Sequence, residues 1–155
     1  MRIGFDAKRV FYNNTGLGNY SRDTIRLLSH YYSKNNYFLY TPTCKTNPRA
    51  DFIKKLDNCH TRTPFSFTGN LFKNYWRTKN IVKDLIQDEI DIYHGLSQEL
   101  PIGIEKTNIK SVVTIHDLIF LRFPHSFTYF DRNIFHKKCL SACQRADKII
   151  AISEQ

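Results

Sequence analysis

Apolar and polar positions along the chain change period several times, and each change predicts an element. Ile3 and Phe5 stand on alternate positions before Asp6 and predict a short strand. A polar loop follows, Asn13-Asn14-Thr15-Gly16-Leu17-Gly18. Leu17, Tyr20, Thr24, Leu28 and Tyr31 then recur at three- and four-residue spacing, as one buried helix face requires. Asn35-Asn36 breaks that helix, and Tyr37 to Thr41 reads as a second strand stopped by Pro42. Asp51 to Leu56 predicts a short helix, and Asn58 to Thr63 a strand ended by Pro64.

The second half repeats the alternation. Leu71, Phe72, Tyr75, Trp76, Val82, Leu85 and Ile86 form a helical stripe between Leu71 and Asp88, with Lys73, Arg77, Lys79 and Lys83 interleaved. Ile90 to His94 predicts a strand that ends at Gly95, and Lys110 to Ile115 a buried one. A long loop through Phe123-Pro124 leads to a helix from Thr128 to Arg145, with Phe135, Cys139, Ala142 and Ala146 on one face. Lys148 to Ile152 is the last strand. Strands alternating with helices predict an α/β fold, a Rossmann-like three-layer α/β/α sandwich with a mostly parallel sheet and right-handed crossovers. Ser153-Glu154-Gln155 has the pattern of a helix N-cap and first turn. The chain is therefore expected to be the first part of a longer protein, a ragged natural C-terminus being the alternative.

Composition narrows the function. The 155 residues are 41% hydrophobic, 14% aromatic and 24% charged, which suits one globular domain and argues against disorder. No apolar run reaches the roughly 18 residues of a membrane span, and Asp6 interrupts any signal-peptide pattern, so a cytoplasmic location is expected. The 23 basic and 14 acidic residues give a net charge of +9, which points to anionic partners. No helix-turn-helix, zinc or RNP-type signature supports nucleic acid. The basic and aromatic residues of Leu71–Asp88 and Arg132–Lys148 read as solvated helix faces or, functionally, as a peripheral contact with an anionic membrane. Cys44, Cys59, Cys139 and Cys143 form no C-x-x-C pair, and the histidines show no metal spacing, so structural cysteines and no metal are expected.

Chemistry-bearing residues fall where strands end, which in a parallel sheet is the ligand-binding edge. Asp6 ends the first strand, His94 and Gly95 the fourth, His116 and Asp117 the fifth, and Ser153 and Glu154 the sixth. Gly16-Leu17-Gly18 sits before a helix N-terminus that could receive a phosphate or a sugar hydroxyl. The full dinucleotide fingerprint is missing: Ser21 holds the third glycine place, and Thr41-Pro42 stands where a ribose-binding acid belongs. No P-loop and no G-x-S-x-G elbow occur.

Four blocks together resemble the N-terminal domain of family 4 glycosyltransferases. They are Met1-Arg2-Ile3-Gly4-Phe5-Asp6-Ala7 with Thr15-Gly16-Leu17-Gly18-Asn19-Tyr20; Asp91 to Ser97 with Glu99-Leu100-Pro101; Val112 to Ile119 with Arg122-Phe123-Pro124; and Ala146 to Glu154. The resemblance spans nearly the whole chain. It implies a GT-B fold of which residues 1–155 form the acceptor-binding half, with the C-terminal donor-binding domain absent from this chain. The implied activity is transfer of a hexose, such as mannose or glucose, from a nucleotide sugar to a glycan or lipid-linked acceptor. The transfer is metal-independent and retains configuration, and no cofactor is expected beyond the nucleotide-diphosphate donor. The chain alone, lacking the donor domain, is expected to be inactive. The resemblance gives His116 a catalytic contact with the transferred sugar. Gly16, Leu17, Gly18, His94, Gly95, Ser97, Glu99 and Asp117 then bind substrate. The alternative function is a free-standing Rossmann-like module that holds a nucleotide or a protein without catalysis.

Overall fold

The computed structural model of the chain describes residues 1–64 and 75–153. Six strands form a single sheet: β1 (Arg2–Asp6), β2 (Asn36–Tyr40), β3 (Cys59–Arg62), β4 (Ile92–Gly95), β5 (Lys110–Ile115) and β6 (Lys148–Ala151). Their order is β3-β2-β1-β4-β5-β6 and all five pairings are parallel. This is the doubly wound order, in which the direction of winding reverses between β1 and β4. Tyr37 pairs with Ile3 on one side of the sheet centre and Ile92 pairs with Ile3 on the other. The expected three-layer sandwich is therefore present, with β1 inside the sheet.

Two cores lie on the two faces of the sheet. One gathers Tyr40, Tyr93 and Val113 against Trp76, Ile81 and Leu85, and belongs to the helix α3 (Ile81–Gln87). The other gathers Phe5, Tyr37 and Leu39 against Val10 of α1 (Lys8–Tyr12) and Ile25 of α2 (Gly16–Tyr31). Because both faces are covered, Ile3 to Asp6 are all buried, and the expected alternation of β1 gives way to a continuous inner strand. A 3-10 helix, Pro48–Lys55, stands where a short helix was expected from Asp51. The loop through Phe123-Pro124 contains two short turns of its own: α4 (Ile119–Arg122) and a 3-10 turn, Pro124–Ser126. The last helix, α5 (Tyr129–Arg145), is capped by Thr128, whose hydroxyl accepts from the Asp131 amide at 3.1 Å. Ser153 is exposed and outside any helix, while Glu154 and Gln155 lie outside the described residues.

Two helix faces differ from expectation. In α2 the innermost residues are Gly18, Ser21, Arg22, Ile25 and Ser29, whereas Tyr31 is exposed. The buried stripe is made of small side chains, one arginine and a single large apolar residue, Ile25, so a search for large apolar residues passes over most of it. Arg22 is accommodated because carbonyls surround it. Its Nη1 donates to Val10 O and Asn13 O, both at 2.8 Å, and its Nη2 to Asn19 Oδ1 at 2.7 Å. In the second expected helix, Leu71 and Phe72 lie outside the described residues, and Trp76–Asn80 winds as a π-helical stretch before α3. That wider turn breaks the 3.6-residue register, so Trp76, Ile81 and Leu85 are buried while Tyr75 and Ile86 are exposed.

The two glycines before α2 serve different ends. Both lie in its first turn, and neither has a positive φ. A Cβ on Gly18 would stand 1.9 Å from the Asn13 carbonyl oxygen, whereas one on Gly16 would meet nothing within 4 Å. Gly18→Ala should therefore destabilise the fold by about 2–3 kcal/mol, because backbone has to move. Gly16→Ala should be neutral or stabilising by up to about 1 kcal/mol. Thermal melts of the two variants check this pair.

Candidate functional site

At the carboxyl end of β1, the Asp6 carboxylate is almost fully enclosed. Its counter-charge comes from the π-helical stretch. Arg77 Nη1 donates to Asp6 Oδ2 at 2.8 Å, and Nη2 donates to the Glu99 carboxylate. Lys138 of α5 then reaches the other oxygen of Glu99 at 2.9 Å. A chain of alternating charges, Asp6–Arg77–Glu99–Lys138, thus joins β1, the loop after β4 and α5. Burial works against the charge on Arg77, but Asp6 and Glu99 outweigh it and raise its pKa. Burial alone would raise the pKa of Glu99; Arg77 and Lys138 overcome this and hold it below the usual carboxylate range. Lys8, beside the chain, has its pKa lowered by burial and then by Arg77 and Arg9. Among the described residues Arg77 Nε has no hydrogen-bond partner, so the guanidinium is held from its outer nitrogens alone.

The loop that delivers Glu99 needs a close backbone approach. A Cβ on Gly95 would lie 2.1 Å from the Glu99 carbonyl oxygen, so glycine lets the loop fold back over the sheet edge. Gln98 sits in the left-handed region at φ 61. It is held there by its amide to Thr114 O at 3.1 Å and its Nε2 to Asp117 O at 3.2 Å. A non-glycine residue in that conformation beside a pocket is the kind of strain found at binding sites.

A cavity of about 290 Å³ opens at this edge. Its polar floor is Ser97, Gln98, Glu99, His116, Asp117 and Lys138, with Arg9 at the side. Its apolar wall is Leu17, Ile119, Phe120, Phe127, Phe135 and Cys139. Of the nine residues the sequence singled out, the cavity collects Leu17, Ser97, Glu99, His116 and Asp117. His116 directs Nε2 to the Leu96 carbonyl at 2.7 Å, and Tyr20 packs edge-on to its ring at 4.9 Å. A carbonyl can only accept, so Nε2 carries a proton, and Nδ1 is the ring nitrogen left over for a ligand. Asp117 is exposed, and its Oδ1 accepts from the Ile119 amide at 3.2 Å.

The other four residues fall elsewhere. His94 is buried within β4, and its Nε2 is spent on the Thr114 hydroxyl at 2.8 Å. It is a core histidine beneath the site, not a ligand-facing one. Thr114 also bonds the Tyr20 hydroxyl at 3.1 Å, so one buried hydroxyl ties β4 and β5 to α2. Gly95 positions the loop. Gly16 and Gly18 do not line the cavity, and the α2 N-terminus is already capped from within. Asn13 Oδ1 accepts from Thr15 N at 2.8 Å and Gly18 N at 3.1 Å.

Arg77 and Lys138 are the residues of this candidate site that sequence reasoning missed. Arg77 had the spacing of a solvated cation, and only the π-turn brings it inward. The signal available was the pair of acids at neighbouring strand ends, Asp6 and Glu99, which cannot both be enclosed without a cation. Among the described residues no group of three or more His, Cys, Asp or Glu side chains could hold a metal. No protein-family model matches the chain, and no curated protein or solved structure matches it.

Two predictions follow from these charges. Arg77→Met leaves Asp6 without its counter-ion and should cost about 3–5 kcal/mol in chemical denaturation. Adding Asp6→Asn to it should cost less than the sum of the two single changes, as a double-mutant cycle would read. For His94, burial and then His116 push the pKa from 6.5 down to about 4. The folded state therefore resists a proton that the unfolded chain accepts. Stability should be full above pH 6.5 and fall between pH 6.5 and 4, by on the order of 3 kcal/mol. Denaturation curves across this range should show the fall, and His94→Gln should flatten it.

Proposed function

We propose that this chain is the acceptor-binding half of a retaining glycosyltransferase, which moves a hexose from a nucleotide sugar to a glycan or lipid-linked acceptor. The observation that carries the proposal is the cavity at the β1/β4 switch point. Its floor offers an imidazole nitrogen, a hydroxyl, a carboxamide and a carboxylate whose charge is already balanced. Hydroxyl groups of a sugar both donate and accept, and such a mixed floor matches them without burying an unpaired charge. Phe127 and Phe135 offer faces on which the apolar side of a sugar ring can lie. The sequence resemblance to family 4 enzymes agrees with this placement, since His116, Ser97 and Glu99 come from its matching blocks.

A nucleotide-holding module is less well supported, because Asn13 occupies the helix N-terminus where a diphosphate would sit. In the proposed enzyme the donor is held by a second domain facing this edge. His116 lies where acceptor and transferred sugar meet and accepts a hydroxyl hydrogen from the acceptor, and Glu99 orients that acceptor. No helix among the described residues is long and apolar enough to cross a membrane.

Calorimetric titration tests this function. Oligosaccharide or glycolipid acceptors should bind the chain measurably, and nucleotide sugars should bind at least about tenfold more weakly. His116→Ala should weaken acceptor binding by about tenfold, the cost of one hydrogen bond, with little change in melting temperature. Tight nucleotide-sugar binding with no response to any glycan would contradict the proposal.

A further inference from the structure

The enclosed acids of the site are fully used. Asp6 Oδ2 accepts from Arg77, and Oδ1 accepts from the Lys8 amide at 3.2 Å. The two oxygens of Glu99 go to Arg77 and Lys138. Two acids and two cations thus balance one another. Two further cations stand at the same edge, Lys8 and Arg9 in the first turn of α1. Arg9 lines the side of the cavity. Both are half-buried, yet among the described residues neither side chain makes a hydrogen bond or an ion pair. The acid left over in the cavity lining is Asp117, which is exposed and has one oxygen on the Ile119 amide.

Unpaired cations are not the habit of this surface. Arg26, Lys54 and Lys110 each reach an acid. Lys8 and Arg9 do not, because Arg77 and Lys138 already occupy the carboxylates nearby. The surplus positive charge faces a concave site, where a field is focused rather than dispersed. Lys8 registers that field. Burial lowers its pKa, and the charges of Arg77 and then Arg9 lower it further, against the opposite pull of Asp6 and Glu99. The backbone that carries the two cations is fixed. Ala7 and Val10 on either side of them are fully buried, the Ala7 amide donates to the Tyr40 carbonyl at 2.8 Å, and the Val10 carbonyl accepts from Arg22. A cation on a fixed support has less freedom to lose when it binds. The guanidinium also presents paired N–H groups that match two oxygens of a phosphate or a carboxylate.

We propose that the cavity takes an acidic sugar, a hexose bearing a phosphate or a carboxylate, with Arg9 gripping the anionic group and Lys8 adding its charge. The inference rests on the reading of the cavity as an acceptor site and narrows that acceptor to an anionic one. The ring and its hydroxyls lie on the polar floor and the aromatic wall, while the anionic group turns to the side where α1 begins. A neutral hexose leaves Arg9 without a partner, so the site discriminates by charge as well as by shape.

Calorimetric titration of the chain at fixed ionic strength tests this with glucose, glucose-6-phosphate and glucuronic acid, the last two separating phosphate from carboxylate. At least one acidic sugar should bind about tenfold or more tightly than glucose. Arg9→Gln should remove that advantage and leave glucose binding and the melting temperature unchanged, while Arg9→Lys should keep part of it. Lys34→Gln, an exposed cation before β2 at the opposite edge of the sheet, should change nothing, which separates a site from general attraction to a chain of charge +9. In the unaltered chain the Arg9 Nε–H resonance should shift with the acidic sugar and not with glucose, which reads the contact even if a variant folds poorly. Equal affinity for all three sugars would overturn the inference and leave the acceptor reading standing. Inorganic phosphate binding as tightly as glucose-6-phosphate would overturn both, because the ring would then contribute nothing. Uridine diphosphate glucose binding that Arg9→Gln abolishes, with neither acidic sugar bound, would give the cations to the donor and overturn it as well.

Discussion

The Arg77 guanidinium between Asp6 and Glu99 is the contact on which the candidate site depends. Asp6 ends the inner strand β1, where the sheet's winding reverses, and almost no solvent reaches it. A carboxylate there is costly unless it is paired. Arg77 pairs it and, with its other outer nitrogen, draws in Glu99 from the loop after β4. Lys138 extends the chain to α5. The fold thereby sets a carboxylate at the cavity floor whose charge is already balanced. Such a group can take a hydroxyl without first having to shed a counter-ion.

The neighbouring loop is built to the same end from different forces. Gly95 permits a backbone approach that no other residue would allow, and Gln98 holds a left-handed conformation through two hydrogen bonds. His116 fastens the start of the loop through the Leu96 carbonyl, which also sets its tautomer. Beneath them Thr114 joins His94 to Tyr20, so the floor of the site is a hydrogen-bonded layer rather than an apolar one. Rigid support of this kind is what a binding site for a weakly held, hydroxyl-rich ligand requires.

Much of this was legible from the residues. Most strands announced themselves by apolar runs, with stops at Pro42 and Gly95, and the order of elements pointed to the parallel sheet. The polar residues at strand ends pointed to one edge of the sheet, and Ser97, Glu99, His116 and Asp117 do meet at a cavity there. His94 was misleading because its position at a strand end does not tell which way its ring turns, and here the imidazole is buried with its Nε2 on the Thr114 hydroxyl. Gly18 was misleading because a glycine needed for close approach to Asn13 looks the same in sequence as one needed for a phosphate, while a Cβ on Gly16 would meet nothing within 4 Å. Arg77 was invisible, since its inward turn depends on a π-helical stretch that no periodicity declares. Of the face expected on the last helix, Phe135, Cys139, Ala142 and Ala146, only Cys139 and Ala142 are buried, and Phe135 is exposed.

The central claim is that hydroxyl groups of an acceptor lie against His116 and the Glu99–Arg77 pair. Isotope-edited NOE spectra of the labelled chain with an unlabelled oligosaccharide test it most directly. The account predicts contacts from sugar ring protons to His116, Leu17 and the Phe127 and Phe135 rings. Contacts confined to Gly16, Gly18 and the start of α2, made by the ribose protons of a nucleotide sugar while the oligosaccharide gives none, would contradict it.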